Sequence, residues 1–174
     1  HEKTFIHQPG LVIRVKDNDP KLAEAVAQAD AYEVERVGMK LSLNGIALEN
    51  ASGDAGVFAK AVETMKAKST LPLILMAEKP AVMEAALNVA GMDKPLLYAA
   101  GPDTWQAMAE LAKKFACPLV IRADRDLSAL ATMAENVIKA GVQDIVLDPG
   151  ARDLAGSLAL FTQLRRLALK KNFR

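Results

Sequence analysis

The chain of 174 residues has one cysteine, Cys117, and two histidines, His1 and His7. A cubane iron–sulfur cluster normally needs four thiolates and a structural zinc site needs four Cys or His ligands, so this chain alone can build neither. No disulfide can form within the chain, which favours a reducing compartment, and we expect the cytoplasm. Because no histidine follows His7, any catalysis would depend on carboxylates, Lys, Arg or a borrowed cofactor, and we expect no metal site.

An excess of charge of one sign is also missing, since 22 Lys and Arg residues stand against 21 Asp and Glu residues. This balance gives no electrostatic reason to expect a nucleic acid as partner. The longest apolar stretches, such as Leu71–Ala77, are interrupted within about 8 residues, whereas a membrane span needs about 20. We therefore expect one globular domain, residues 1–174, that binds neither a membrane nor a nucleic acid.

Short apolar runs recur along the chain from Leu11 onward, separated by longer amphipathic stretches. The runs are continuous rather than alternating, which is typical of strands buried on both faces of a parallel sheet. They comprise residues 11–15, 45–48, 73–76, 95–98, 118–121 and 144–147. Such βα units predict a parallel sheet of the α/β class, either closed as a barrel or open and doubly wound. Because a TIM-type (β/α) barrel needs about eight units, we expect an incomplete barrel with about six of the eight.

Local signals mark the ends of several helices. Asp103-Thr104 and Asp126 precede amphipathic stretches and can accept hydrogen bonds from the first backbone N–H groups of a helix. Gly91 and Gly141 stand where helices would end in a left-handed residue. These residues predict where the connecting loops begin and end.

A hairpin is predicted near the N-terminus. Its two arms are residues 4–8 and 11–15, and Pro9-Gly10 forms the turn between them. We expect the short first arm to plug the bottom of the barrel.

Candidate binding residues follow from the rule that sites in parallel sheets form at the carboxyl ends of the strands. Asn50 lies after the second run, and Asp148 directly follows the sixth in the turn Asp148-Pro149-Gly150. Both are short polar side chains on constrained turns, so we predict that they face a ligand. The alternative for Asp148 is that it only ties down its own Pro-Gly turn.

Two further features have simpler structural interpretations. Ser52-Gly53-Asp54 could hold a phosphate before a helix, but a helix cap is the stronger interpretation. Cys117 precedes an apolar strand without a clear activating base nearby in sequence, which predicts a small buried residue rather than a reactive thiol.

Several longer stretches resemble a known family. They are His1–Phe5, Leu71–Met76, Lys94–Ala100, Asp144–Gly150 and Thr162–Ala168. In this order they resemble the central barrel domain of the large (gamma) subunit of the corrinoid iron–sulfur protein, part of the acetyl-CoA decarbonylase/synthase or carbon monoxide dehydrogenase system. The resemblance extends over essentially the whole chain.

The resemblance implies a role in methyl transfer. In that family the large subunit carries a methyl group on a cobamide from a methylated tetrahydropterin to acetyl-CoA synthase, and it also holds a [4Fe–4S] cluster. Both cofactors belong to flanking domains, so this chain would be a scaffold and docking surface that is not itself catalytic. The implied partners are the homologous small (delta) subunit, the methyltransferase and acetyl-CoA synthase. Asp148 and Asn50 would then face the corrinoid or the partner subunit.

Two alternatives remain open. Pterin-binding barrels, such as dihydropteroate synthase and methyltetrahydrofolate methyltransferases, hold the pterin with acidic and amide side chains at strand ends, one of them in a turn resembling Asp148-Pro149-Gly150. Here the third run ends in Met76-Ala77 and the fourth in Tyr98-Ala99-Ala100, which would leave hydrogen-bonding groups of a pterin unpaired. The other alternative is a purely structural domain that pairs with the small subunit.

Overall fold

The computed structural model describes residues 9–170, with side chains described through residue 168. Each of the predicted apolar runs forms a strand of one parallel sheet, so the α/β class is confirmed. The first arm of the predicted N-terminal hairpin lies outside the described residues. The strands in chain order are β1 (Val12–Lys16), β2 (Glu33–Arg36), β3 (Met39–Ser42), β4 (Gly45–Glu49), β5 (Leu73–Met76), β6 (Leu96–Ala100), β7 (Leu119–Arg122) and β8 (Ile145–Asp148).

The parallel sheet follows the order of the chain, β1-β4-β5-β6-β7-β8, without a reversal. A doubly wound sheet would reverse its strand order at a switch point. The helices are α1 (Leu22–Asp30), α2 (Ala55–Lys68), α3 (Pro80–Ala90), α4 (Trp105–Phe115), α5 (Leu127–Lys139) and α6 (Leu154–Lys170). Each helix from α1 to α4 contacts the next helix along the chain. The helices α1–α5 thus form one row beside the sheet.

One face of the sheet packs against this row of helices. Sheet residues such as Ile46, Leu75 and Leu119 are completely buried and share a core with Phe58 of α2 and Met108 of α4. Burying a side chain of this size stabilises the fold by about 1.5–3 kcal/mol. The largest apolar contribution to stability therefore lies between the sheet and α1–α5. None of the helices within residues 9–170 is long and apolar enough to cross a bilayer.

The opposite face of the sheet is more open than the sequence predicts. Successive side chains of a strand point to opposite faces, so Val12 and Arg14 lie on the face away from Ile13 and Val15. Val12 in β1 is 42% exposed and Val146 in β8 is 46% exposed. Burial on both faces was expected for every strand, but β1 and β8 are the edges of the described sheet, and no described strand lies beyond either of them.

A short antiparallel hairpin, β2–β3, was not predicted. It lies between α1 and β4, and its ion pair between Lys40 Nζ and Glu33 Oε1 measures 2.8 Å. Val37 and Gly38 at its tip have φ angles of 50° and 74°, as a two-residue hairpin turn requires. The hairpin has no continuous apolar run, and its turn lacks the Asn-Gly or Asp-Gly pair by which such turns are usually recognised.

The predicted N-terminal caps are confirmed at α5 but not at α4. The Asp126 carboxylate accepts hydrogen bonds from first-turn backbone N–H groups of α5. The hydroxyl oxygen of Thr104, directly before α4, instead accepts a hydrogen bond of 3.1 Å from the Gly101 N–H. Thr104 therefore stabilises the loop after β6 rather than the first turn of the helix.

The two glycines predicted at helix C-termini behave differently. Gly141 follows α5 with a φ of 98°, as predicted. Gly91 has a φ of −59°, so the prediction of a left-handed residue there was wrong. An added Cβ at Gly91 would lie 2.4 Å from the ring of Phe115, so a glycine stands there because α3 and α4 pack closely.

Candidate functional site

A cavity of about 770 Å³ opens at the carboxyl ends of the parallel strands. Its walls come from the ends of neighbouring strands, with Glu49 from β4, Met76 from β5, Tyr98 from β6 and Arg122 from β7. Arg152, in the loop between β8 and α6, completes one side. We call this space the rim cavity. Its size is within the range of about 300–1,000 Å³ that is usual for small-molecule sites.

Asp148 lies beside the rim cavity and is held by three residues. Its Oδ2 accepts hydrogen bonds from the Tyr98 hydroxyl at 2.7 Å and from Arg152 Nη2 at 2.8 Å. Its Oδ1 accepts bonds from Arg152 Nη1 at 3.1 Å and from the Gly150 N–H at 2.9 Å. Arg152 Nη2 also donates to the Tyr98 oxygen at 2.8 Å. We call this set the Asp148 cluster.

The hydrogen bonds of this cluster help to set the pKa values of its side chains. Burial alone would raise the pKa of Asp148, but hydrogen bonds from Arg152, Tyr98 and the Gly150 N–H outweigh burial and lower the pKa to about 2. Hydrogen bonding to Asp148 raises the pKa of Arg152. Burial, followed by the bond to Asp148, raises the pKa of Tyr98. At neutral pH the cluster is therefore a carboxylate, a guanidinium and a neutral phenol, which can position a ligand by charge and hydrogen bonds.

The loops after β7 and β8 are joined next to this cluster. The Arg125 N–H donates to the Pro149 oxygen at 2.8 Å, and the Arg125 side chain forms an ion pair with Asp153. Gly150 has a φ of 78°, and an added Cβ there would lie 2.8 Å from the Asp124 Cα. Both the left-handed conformation and the close approach require glycine at this position.

A second carboxylate, Asp17, directly follows β1 and is only 6% exposed. Its Oδ1 accepts hydrogen bonds from the N–H groups of Ala51 and Ser52 at 3.0 and 2.9 Å. Its Oδ2 accepts bonds from the Ser52 hydroxyl at 2.6 Å and from Asn50 Nδ2 at 2.7 Å. Burial would raise the pKa of Asp17, but hydrogen bonds led by those from Ser52 lower it. We call this set the Asp17 cluster.

The structure places the two predicted site residues in different clusters. Asn50 lines the rim cavity, but its amide nitrogen is engaged by Asp17. Asp148 contacts the residues that line the cavity, Tyr98 and Arg152, and it also holds the Gly150 N–H of its own turn. Its predicted turn-stabilising role is therefore present together with contacts to the cavity wall.

Sequence analysis missed Asp17, Tyr98 and Arg152 as partners of these residues. Asp17 is separated from Ser52 by 35 residues, and Tyr98 from Asp148 by 50. Only Arg152 is close to Asp148 in sequence, four residues away in the loop after β8.

The segment Ser52-Gly53-Asp54 is a helix cap, as predicted. Asp54 Oδ1 accepts a hydrogen bond of 2.8 Å from the Val57 N–H in the first turn of α2. The Ser52 hydroxyl donates a hydrogen bond to Asp17. Both side chains therefore have structural roles within the loop.

Comparison with known proteins identifies the family of the chain. The family model described as CO dehydrogenase/acetyl-CoA synthase delta subunit matches residues 1–174. The chain belongs to this family.

The family model is named after the delta subunit, whereas similar proteins are named large or gamma subunits. The corrinoid/iron–sulfur protein large subunit of Moorella thermoacetica is 38% identical over 176 residues, which cover 100% of this chain and 39% of that protein. The acetyl-CoA decarbonylase/synthase complex subunit gamma 2 of Methanosarcina mazei is 37% identical, covering 97% of this chain and 37% of that protein. The gamma subunit of Methanothermobacter thermautotrophicus is also 37% identical. The chain thus spans well under half the length of these relatives.

The name of the Moorella relative raises the question of which cofactors fit this family member. A cluster of iron and sulfur does not fit the described residues, because Cys117 is the chain's single thiol and is only 4% exposed. Burial raises the pKa of this thiol and keeps it protonated, and its predicted burial is confirmed. The part of the chain from residue 9 to 168 also contains no group of three His, Cys, Asp or Glu side chains suited to a metal ion.

Glu49 Oε2 is a buried oxygen beside the rim cavity. It has no hydrogen-bond donor among the described residues, but Arg14 Nε lies 3.5 Å away and forms an ion pair with it.

Proposed function

We propose that this chain is the barrel portion of a corrinoid/iron–sulfur protein subunit that carries a methyl group from a methyl-tetrahydropterin to acetyl-CoA synthase. The chain itself is the scaffold and docking surface, and the cobamide and the [4Fe–4S] cluster belong to other parts of the full subunit. The observation that carries this proposal is the 38% identity to the Moorella large subunit along the whole chain. Its partners are the small (delta) subunit, the methyltransferase and acetyl-CoA synthase, in the cytoplasm.

The architecture proposed for the full subunit is a single closed TIM-type barrel. The described strands run in chain order with α1–α5 on one side, which is the winding that a barrel needs. Further βα units would pair with the edges of β1 and β8 and cover the half-exposed Val12 and Val146. The charged rim would then surround the mouth of the barrel.

Asp148 and Asn50 are proposed as positioning residues at this rim. Asp148 acts through Tyr98 and Arg152, whose side chains it holds against the cavity. Asn50 lines the rim cavity itself, and its hydrogen bond to Asp17 holds it there. The corrinoid supplies the chemistry of methyl transfer, so the protein contributes orientation and electrostatics.

A pterin site is disfavoured by the lining of the cavity. Met76, Ala77 and Ala99 line its wall at the positions where pterin-binding barrels offer polar side chains. Each hydrogen-bonding group of a pterin left unpaired there would cost about 1–3 kcal/mol. We therefore propose docking of the corrinoid or the partner subunit at this rim rather than pterin chemistry.

The proposal is tested in the full-length subunit assembled with its small subunit. Asp148→Asn removes the charge that holds Arg152, and we expect the rate of corrinoid methylation to fall about tenfold, the effect of a lost charged hydrogen bond. Asp126→Asn is the matched control, because an asparagine still caps α5 and Asp126 does not line the cavity. An unchanged methylation rate with a lowered melting temperature would leave Asp148 a purely structural role.

A further inference from the structure

The β2–β3 hairpin exposes a group of large apolar side chains. Tyr32 is 51% exposed, Met39 is 60% exposed and Leu41 is 37% exposed, and every residue of β3 is exposed. A two-stranded hairpin is marginally stable in water unless further strands or a helix cover its apolar face. Apolar side chains that cluster on a surface in this way are typical of a protein–protein contact.

The pairing of β2 with β3 separates an apolar face from a polar face. Residues directly opposite each other share a face, and Val34 lies opposite Leu41. Met39 lies on the same face, two residues before Leu41. The other face carries the alternate residues, which are Glu33, Glu35, Lys40 and Ser42. A partner of this hairpin must therefore continue both an apolar row and a charged row.

One edge of β3 is free among the described residues. In a hairpin with a two-residue turn, the residues that flank the turn are hydrogen-bonded to each other, and here these are Arg36 and Met39. Because the direction alternates along a strand, the N–H and C=O groups of Lys40 and Ser42 point away from β2. No other strand within residues 9–170 pairs with β3, since its sheet consists of β2 and β3. An exposed edge of this kind can bind another strand.

A second copy of this chain fits the edge of β3 in one register. Two copies related by a two-fold axis pair antiparallel, with the outward groups of Lys40 and Ser42 meeting each other. Lys40 at the axis would place two ammonium groups opposite each other, which is unfavourable. Ser42 at the axis would require the N–H of Asn44, which already donates to the Leu11 oxygen at 2.8 Å. With Leu41 at the axis, Lys40 of each copy lies opposite Ser42 of the other and no like charges are opposed.

The same comparison excludes the edge of β2. Its outward groups belong to Glu33 and Glu35, and each register of β2 against a second β2 places two glutamates opposite each other. Through β3, by contrast, Val34 and Leu41 of both copies form one apolar row. On the other face, Lys40 of one copy lies between its own Glu35 and Ser42 of the other copy. The distribution of charge therefore selects the β3 edge and a second copy as its occupant.

We propose that the free edge of β3 binds the same edge of a second copy of this chain, forming a four-stranded antiparallel sheet with Leu41 beside the two-fold axis. The hairpin lies between α1 and β4, where the chain has returned to the amino ends of the parallel strands. The rim cavity lies at their carboxyl ends. The pairing therefore joins two copies and leaves both rim cavities open.

The test measures the mass of the full-length subunit, assembled with its small subunit, by sedimentation equilibrium. Pairing along one short strand is a small interface, so we expect weak association with a dissociation constant of about 10–100 μM. The mass should rise from that of one complex toward twice that value as the concentration passes this range. A mass that stays at one complex up to several hundred micromolar would overturn the inference.

Leu41→Lys and Leu41→Glu test the position of the axis. Each places like charges opposite each other and should raise the dissociation constant at least about tenfold. An equal mixture of the two variants should associate about as tightly as wild type, because opposite charges then meet at the axis. Val37→Lys is the matched control, since Val37 is 97% exposed in the turn and lies outside the paired residues. It should leave the dissociation constant unchanged.

Ser42→Pro tests the backbone pairing. It removes an N–H that points away from β2, a position at which an edge strand tolerates proline, and it should raise the dissociation constant at least about tenfold. Glu35→Pro makes the same change at the other edge of the hairpin and should leave association unchanged. Equal association of wild type and Leu41→Lys, or of Ser42→Pro and Glu35→Pro, would overturn the inference. A mixture of the two Leu41 variants that does not associate would also overturn it.

Discussion

Asp17 and Asp148 occupy equivalent positions at the two edges of the sheet but have different partners. Asp17 directly follows β1, and Asp148 is the last residue of β8. The partners of Asp17 are backbone and side-chain groups of one loop, residues 50–52, and they enclose it. Two of the partners of Asp148, Tyr98 and Arg152, are side chains that also line the rim cavity.

This difference shows that a carboxylate at the end of a strand is not by itself a ligand site. Both carboxylates have a lowered pKa and four hydrogen bonds, so charge and hydrogen bonding do not distinguish them. The partners distinguish them, because Asp17 is held within one loop, with Asn50 as its one cavity-lining partner, whereas Asp148 holds two cavity-lining side chains, Tyr98 and Arg152. Substitutions in the two clusters should therefore separate stability from function.

The largest effect is expected for Asp17→Ala. The substitution leaves the N–H groups of Ala51 and Ser52 without their side-chain acceptor and removes one acceptor each from Asn50 and the Ser52 hydroxyl, which should lower the free energy of unfolding by about 3 kcal/mol. Urea unfolding measures the change. Asp19→Ala is the control, because the exposed Asp19 carboxylate accepts a hydrogen bond only from the Lys21 N–H. This substitution should lower the free energy of unfolding by less than about 1 kcal/mol. Similar losses for both variants would contradict the structural importance of the Asp17 cluster.

Gly150→Ala should have the next largest effect, about 2 kcal/mol. The new Cβ would be strained at a φ of 78° and would meet Asp124 at 2.8 Å. Gly53→Ala in the Asp17 loop separates these two contributions, because Gly53 has a φ of 72° but no atom within 4 Å of the added Cβ. We expect about 1 kcal/mol for Gly53→Ala, so thermal melting should rank the two variants. The opposite ranking would exclude the close approach at Asp124 as a cause.

Acid should weaken the Asp148 cluster. The folded pKa of Asp148, about 2, lies below its ordinary value of 3.8, so its contribution is complete above about pH 5 and is lost as the pH falls toward 2. We expect a loss of about 1.5 kcal/mol, less than the full pKa shift implies because Arg152 is 57% exposed and solvent screens the pair. Unfolding measured from pH 5 to 2 should show a smaller decline in Asp148→Asn than in wild type. Parallel declines would contradict the lowered pKa.

Tyr98→Phe should have the smallest effect on stability. It removes one hydroxyl that donates to Asp148 and accepts from Arg152, and one such bond contributes about 1 kcal/mol. Titration of the Asp148 carboxyl by NMR should show a pKa above that of wild type, because one of its donors is lost. Tyr32→Phe serves as the control, since Tyr32 is 51% exposed and lies outside both clusters. An unchanged Asp148 pKa would exclude the Tyr98 hydroxyl as a cause of its lowering.

The parallel sheet could be predicted from the sequence, whereas the hairpin could not. Strands such as Leu119–Arg122 begin with continuous apolar residues, because they pack against helices in the interior. In β2, Glu33, Glu35 and Arg36 are exposed, so no burial constrains their pattern. The reason for a glycine at position 91 could not be predicted either, because its closeness to Phe115 depends on how α3 packs against α4.

The site was only partly predictable for a related reason. The positions of Asn50 and Asp148 at strand ends follow from the order of strands and turns, which is local information. Their partners depend on which strands become neighbours, and Tyr98 meets Asp148 only because β7 aligns β6 with β8. The ion pair between Arg14 and the buried oxygen of Glu49 depends on the same arrangement, so only three-dimensional structure could reveal it.

The burial of Cys117 has a practical consequence for these experiments. It is the chain's one thiol, it is 4% exposed, and its burial raises the pKa, so thiol-directed reagents should leave the folded wild-type chain unlabelled. A cysteine introduced at an exposed position would then be the single reactive thiol, with no need to remove the native one. A spin label or fluorophore attached at Glu78, on the edge of the rim cavity, could report directly when the cavity is filled.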